Sequence, residues 1–337
     1  MANMTLADYR TRIKRKMRDF QNLDISTDEI DDILNDGYLD FVTRTLCTIS
    51  SPASTGSGSD NKVTLLENVG HYSLPADTIQ ILRAEYVNGD EIQIRQTDWM
   101  DAHYGYDWRA EREDGDYVDY IVQDNSTYTT FRVYPILETF EFTVPSDQDV
   151  LKMDYDSSGS DTDVSISSGS YDSTDDFCSA IEDAIEDAFS DDNADVSVNY
   201  SATTGKITIG AGSGHTLSYT DLGSTGGRWI GFYQDQSAAA SLTGDVGIKH
   251  IIFDYVYEPT AMSATTDYPA FPSEYHKALF YYAMHEILET APTDTADYKI
   301  ADYYYNKYID YVVRCKRRFN NGLIRNRQPY MSAPRWI

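Results

Sequence analysis

Lys249-His-Ile-Ile-Phe-Asp-Tyr-Val-Tyr257 decides how this chain is organised. Its β-branched and aromatic residues read as a strand. The same pattern runs earlier through Val63-Thr-Leu-Leu66, His71-Tyr-Ser-Leu-Pro75, Gln80 to Val87, Glu91 to Gln96 and Thr127-Tyr-Thr-Thr-Phe-Arg-Val-Tyr-Pro135, then stops. Between the two stretches the composition changes: residues 138–247 hold 21 acids against three bases, Lys152, Lys206 and Arg228, and are rich in Ser, Gly and Asp. The cleanest account is a small domain inserted between two strands of one sheet.

Asn88-Gly89 separates two alternating runs. This is a strong hairpin signal, because a type I′ turn needs positive φ twice. Trp99 to Tyr120 is polar and aromatic and is expected to be a long surface excursion. Inside the acidic segment, Phe177, Ile181, Ile185 and Phe189 mark an amphipathic helix from Asp175 to Phe189. A hairpin follows, Val196 to Tyr200 and Lys206 to Ile209 turning at Thr203-Thr204-Gly205, and then Thr216 to Tyr219 and Trp229 to Phe232 as further strands.

Helices occupy both ends. Thr5 with Asp8 opens the first, and Leu6, Tyr9, Ile13, Met17 and Phe20 form its apolar stripe. Ser26 with Glu29 is a capping box for the second, carried by Ile30, Ile33, Leu34, Tyr38 and Phe41. Gly37 lies inside it at a cost of roughly 1 kcal/mol relative to alanine, which a close helix–helix contact would explain. The run 51–60 (SPASTGSGSD) reads as a loop. Pro272 is expected at the first position of a helix starting at Phe271-Pro272-Ser-Glu274. A last helix is expected from Thr295 to Phe319, with Ile300, Tyr304, Tyr308, Val312, Cys315 and Phe319 on one face. Asn320 to Ile337 then reads as extended and waiting for a partner.

The expected fold class is therefore α+β: a helical bundle from the N- and C-terminal helices, an antiparallel β region, and an inserted small α+β domain. The boundaries are 1–137 with 248–320 for a discontinuous core, 138–247 for the insert, and 321–337 for the tail.

The net charge is −28 over 337 residues, and it is segregated. Residues 1–20 carry six bases against two acids, and 314–337 carry seven bases and no acid. An acidic whole argues against non-specific nucleic-acid binding and leaves the basic ends for an acidic protein partner or, second to that, passing DNA. Tyrosine dominates the aromatic content, with 28 Tyr against 12 Phe and 4 Trp. An apolar body with a polar tip suits surfaces that are wet before assembly and buried after it. Cys47, Cys178 and Cys315 read as free thiols in a reducing compartment. No apolar run approaches a bilayer span and no signal peptide is apparent, so a soluble product made in the cytosol is expected.

Motifs for catalysis fail where they can be checked. Gly205-Lys206 lacks the leading glycine of a phosphate loop, which would fall at Tyr200, and the following residue is Ile207. No G-x-S-x-G occurs. The six histidines form no H-E-x-x-H. With 55 acids, carboxylate pairs carry no specific signal. His285-Glu286 reads as a packing or interface pair. Asp154, Asp156 and Ser158 with Gly159 match the start of a calcium loop, but Ser165 stands where a glutamate is needed, so a solvated acidic loop is favoured and no cofactor is expected.

The order of motifs resembles the head-to-tail connector (adaptor) proteins of tailed bacteriophages. Met4 to Ile13, Ser26 to Gly37 with Asp40-Phe41, Tyr72-Ser-Leu-Pro-Ala-Asp77 with Ile81 to Tyr86, Val133-Tyr-Pro135 with Tyr257-Glu-Pro259, and Pro269 to His276 carry it. The insert, with its Thr-Thr-Gly-Lys hairpin and Gly227-Arg-Trp-Ile-Gly-Phe232, is similar to a small domain of phage virion proteins. The resemblance implies a non-enzymatic structural protein of the virion neck or tail, copied around a ring on the portal, an expected dodecamer. Its partners would be the portal protein, tail or nozzle proteins and copies of itself, with no membrane and with genome DNA passing the channel unbound. On this reading Arg314, Arg317, Arg318, Leu323, Arg325, Arg327, Tyr330, Trp336 and Ile337 form a C-terminal strap for the portal. Tyr304, Tyr305, Tyr308 and Tyr311 meet neighbouring subunits. The alternatives are a tail or baseplate subunit, or a glycan-binding or glycan-degrading module built on the aromatics around 99–120.

Overall fold

A computed structural model describes residues 3–20, 25–50, 61–86, 89–124, 129–147, 149–156, 159, 161–189, 195–290 and 295–326, with backbone alone for 19–20, 295–297 and 320–326. The chain is mixed α+β and divides into two compact units, residues 1–49 with 256–337, and 50–255.

The first unit is helical. Helix α1 (Leu6–Phe20) is opened by Thr5 and Asp8, whose side chains cap each other's backbone N–H at 3.0 and 3.3 Å. Leu6, Tyr9, Ile13 and Met17 are buried along one stripe, as their spacing predicts. Helix α2 (Thr27–Thr45) starts at Ser26, whose hydroxyl accepts the Glu29 N–H at 3.1 Å. Gly37 is needed for packing: a Cβ there would lie 2.4 Å from the ring of Tyr282 on helix α5 (Lys277–Thr290). Helix α6 (Thr295–Asn326) packs on α2 and α5, burying Tyr304, Tyr308, Val312 and Cys315.

Two helix boundaries differ from expectation. Residues 272–276 form turns, not the first turn of α5, with the Tyr275 N–H bonded to Pro272 O and the His276 N–H to Ser273 O. Helix α6 runs through Gly322 to Asn326, so the segment expected to be extended from 321 is helical that far. Where the chain leaves and re-enters this unit, Thr48 and Tyr257 bond twice: the Tyr257 N–H to Thr48 O at 3.1 Å, and Thr48 Oγ1 to Tyr257 O at 2.6 Å.

In the second unit the strand His250–Tyr257 pairs with Lys62–Thr64 on one side and neighbours Thr78–Tyr86 on the other. The order continues through Glu91–Arg95, Tyr120–Gln123, Thr130–Tyr134 and His71–Ser73. The predicted hairpin forms, with Ala84 opposite Ile92 and Gly89 at φ 86°; Asn88 lies outside the described residues.

The region is not wholly antiparallel, which corrects the expectation. Glu91–Arg95 runs parallel to Tyr120–Gln123, and Arg112–Gly115 parallel to Ile136–Phe140. Parallel neighbours need a crossover, and the segment 97–119 supplies it. It holds helix α3 (Thr97–Tyr104) and a 3₁₀ turn (Tyr106–Ala110), and it buries Met100 and Trp108 against Val122 and Tyr134. The segment is largely exposed, as expected of a surface excursion, but Met100, Trp108 and Val118 anchor it to the core.

Within 138–247, helix α4 (Thr174–Ala188) is capped by Ser173 and packs on the strands Thr162–Ser165 and Ser197–Tyr200. The predicted hairpin joins Ser197–Tyr200 to Ile207–Gly210, with Gly205 at φ 66°. Trp229 to Phe232 is a series of turns instead of a strand; Gly231 has φ 87° and sits where a Cβ would fall 2.2 Å from Val246 O. This segment shares its packing with the flanking strands. Glu67 accepts from the Phe140 N–H at 3.1 Å and from Thr174 Oγ1 at 3.3 Å, and the Ile248 N–H donates to Gly205 O. Lys249 is buried in an ion pair with Asp116 at 2.7 Å. Tyr233 is hydrogen-bonded to His250 Nε2, while His250 Nδ1 donates to Gly247 O at 2.8 Å. All three cysteines are buried free thiols.

Two measurements test this packing. Gly37→Ala should lower the urea midpoint by an amount equivalent to about 1–3 kcal/mol, although helix propensity alone would raise it. Burial lowers His250 to about 4 from 6.5. The unfolded chain therefore takes up a proton below pH 6.5 that the folded chain refuses until about pH 4. The contribution is fully present above pH 6.5 and is lost as pH falls toward 4, amounting to about 3 kcal/mol. Urea titrations at pH 7 and pH 4.5 should show a smaller stability loss for His250→Gln than for the unmodified chain.

Candidate assembly surfaces

Helix α6 sorts its tyrosines by angle. Positions 304 and 308 share the stripe of Val312 and Cys315, so they turn inward. Tyr308 is fully buried and donates to Asp40 Oδ2 at 2.5 Å, while Asp40 also receives Arg44 Nε at 2.8 Å. Burial, then the hydrogen bond to Asp40 and its charge, push the Tyr308 hydroxyl far above its ordinary value, which keeps it a donor. Tyr304 is 7% exposed and meets the edge of Phe280. Tyr311 is half-buried beside Tyr281, and Tyr305 is outward, 4.8 Å from the His285 ring. Of the tyrosines expected between subunits, Tyr304 and Tyr308 are therefore used inside the subunit. Tyr298 and Tyr303, 51% and 56% exposed, also stand outward on this helix. The signal for them was the helical angle, not the count of tyrosines.

The basic end of α6 is exposed at Arg314, Lys316, Arg317 and Arg318. Arg318 is ion-paired with Glu274, and the Arg314 guanidinium lies 5.9 Å from the Tyr311 ring. Because α6 continues to Asn326, these cations sit roughly two turns before its end, beyond the reach of the terminal dipole. Leu323 and Arg325 lie on the helical backbone, with side chains outside the described residues. Arg327, Tyr330, Trp336 and Ile337 also lie outside them.

The calcium-like turn is held by its own protein groups. Asp154 Oδ2 accepts the Gly159 N–H at 3.1 Å. Asp156, at φ 57°, takes His215 Nδ1 at 2.6 Å and the Thr216 N–H at 3.0 Å, and its carboxyl is held below the usual range by those bonds. Ser158 lies outside the described residues. On α5, His285, Glu286 and Glu289 bring three ligand-type atoms within 4.8 Å of one another. The His285–Glu289 contact of 3.1 Å is the i,i+4 ion pair that helical spacing provides. That spacing, His285 to Glu289, was legible and was overlooked.

The aromatic residues around 99–120 do not form an open platform. Trp108 is 1% exposed and donates to Asp101 at 2.8 Å. Trp99 is covered by the stacked ring of His103 at 3.9 Å and by the guanidinium of Arg95 at 4.6 Å. Tyr104 and Tyr106 remain exposed. Among the described residues, no helix is long and apolar enough to cross a membrane.

The division of tyrosines makes an outcome that separates stability from assembly. Tyr308→Phe should cost about 1 kcal/mol in urea unfolding and leave self-association unchanged. Tyr303→Ser with Tyr305→Ser should leave the unfolding midpoint nearly unmoved and weaken self-association, measured by sedimentation velocity.

No curated protein matches the chain. Residues 4–171 match the model of the family described as SU10 adaptor protein. That match spans α1, α2, the mixed sheet up to Thr130–Tyr134 and the first strands of the acidic segment. Through residues 4–171, the chain belongs to the SU10 adaptor protein family.

Proposed function

We propose that this chain is a head-to-tail adaptor subunit that forms a ring on the portal and connects it to the tail. Family membership makes it a structural adaptor of a bacteriophage particle, and hence a component of the virion. The finer reading adds the portal as one partner, tail or nozzle proteins as another, and copies of itself in a closed ring, expected to be a dodecamer. The chain would be made in the host cytoplasm, and genome DNA would pass the channel without specific binding.

The observation that carries the portal assignment is the exposed cationic end of α6. Arg314, Lys316 and Arg317 project from a helix whose other face is buried at Val312 and Cys315. A rigid helix that leads spaced cations into the segment 327–337, with Tyr330, Trp336 and Ile337, suits a strap laid across an acidic surface. In this reading α1, α2, α5 and α6 make the helical bundle of the adaptor. Residues 138–247 are an insert in a core formed by 1–137 and 248–320, and outward Tyr303 and Tyr305 join Tyr311 at neighbouring subunits. No step of bond-making is assigned to the chain.

The test is to mix the full chain, and a version ending at Asn326, with the cognate portal and to image both by electron microscopy. A ring on the portal that is lost on removing 327–337 supports the adaptor and its grip. No association by either version overturns portal binding and favours a tail or baseplate position.

A further inference from the structure

A groove of about 360 Å³ lies between α1 and α5, lined by Met4, Arg12, Arg15, Lys16, Lys277, Phe280 and Tyr281. Its composition is unusual in a chain with a net charge of −28. Arg12, Arg15, Lys16 and Lys277 are exposed at its rim, while Phe280 and Tyr281 are half-buried along its floor. No acidic side chain is among the lining residues. Arg10 and Lys14, on the same helix, are directed elsewhere, to Asp31 and to Thr27 Oγ1. Arg12, Arg15 and Lys16 instead line the groove, where Arg12 Nη1 also reaches Met4 Sδ at 3.7 Å.

Cations around an aromatic floor suit either a nucleic acid, whose bases stack on rings, or an acidic protein segment. The acidity of the chain as a whole disfavours the first, and charge complementarity within the chain supports the second. Such a segment exists in the chain itself. Helix α4 carries six acids and no base. Asp176, Asp183 and Asp187 recur at seven and four residues, within about 20° of one line on a helix, and all three are exposed. Ala180 lies between them, small enough to let the helix approach closely.

Assembly supplies the reason for the match. Subunits carrying −28 each repel one another, so a ring needs opposite charges brought together where subunits meet. Head-to-tail contacts in a ring join two different patches, one from each neighbour. We propose that the α1–α5 groove of one subunit receives the acidic face of α4 from a second copy of this chain. The inference rests on the ring reading given above. Because the contact is made of exposed ion pairs around an aromatic centre, it weakens as salt rises.

The experiment is a charge swap in the full chain. One variant carries Arg12→Glu, Arg15→Glu and Lys277→Glu; the other carries Asp176→Lys, Asp183→Lys and Asp187→Lys. Circular dichroism checks that each is folded, and sedimentation velocity at low and high salt measures association of each alone and of the two mixed. The expected result is that each variant alone self-associates about tenfold or more weaker than the unmodified chain, and that mixing them restores association. Restoration on mixing also keeps the test decisive if one variant is partly destabilised. Unchanged self-association of the groove variant, with intact rings, overturns the groove contact and leaves the ring reading standing. Failure of the unmodified chain to associate at all overturns both. A groove variant that assembles normally but no longer retains a fluorescent DNA duplex would reassign the groove to nucleic acid and overturn the proposal.

Discussion

The double hydrogen bond between Thr48 and Tyr257 is the constraint on which the architecture depends. The chain leaves its helical unit after Ile49 and returns at Val256, having built a complete second unit in between. Both crossing points must lie side by side for α1 and α2 to share a core with α5 and α6. Once they do, the loop between them can carry any amount of structure at little entropic cost, because closure cost grows only with the logarithm of length. The size of the segment 138–247 is therefore compatible with the helical unit without any change in it.

The helical unit is fixed by contacts that leave little freedom. Gly37 admits the Tyr282 ring where a methyl group would collide with it. Tyr308 reaches Asp40, which Arg44 also holds, so a tyrosine, a carboxylate and a guanidinium tie α6 to α2. Phe41 packs against Phe271, Tyr275 and Tyr308. These rings explain why so tyrosine-rich a sequence needs few phenylalanines: the hydroxyls reach partners at the edge of the core while the rings fill it. The outward tyrosines of α6, Tyr298 and Tyr303, are instead left about half exposed.

Much of this was legible from residues. Capping pairs at Thr5 and Ser26, the stripes of α1 and α2, the meaning of Gly37 and the hairpin around Gly89 follow from local rules, and each formed. What was not legible depended on distant partners. Glu91–Arg95 pairs in parallel with Tyr120–Gln123 only because α3 and the 3₁₀ turn between them bury Met100 and Trp108, and local polarity at 99–120 hid that. Pro272 suggested a helix start, yet turns through His276 delay α5 to Lys277. Gly322 suggested a stop, yet α6 continues to Asn326. Which tyrosines face outward required the phase of α6 against α2 and α5.

Charge gives the chain its second organising feature: cationic ends flank a strongly acidic middle, and the two signs lie on different elements. In the proposed ring, such segregation would set the orientation of neighbouring copies, since like surfaces repel and unlike ones attract. The most direct measurement of the central claim is electron cryomicroscopy of the intact phage particle, with this chain located by fitting its helices into the density. The expected density is a closed ring of copies at the junction of head and tail, with the end of α6 against the portal. Density for the chain at the far end of the tail, or none at the junction, would contradict it.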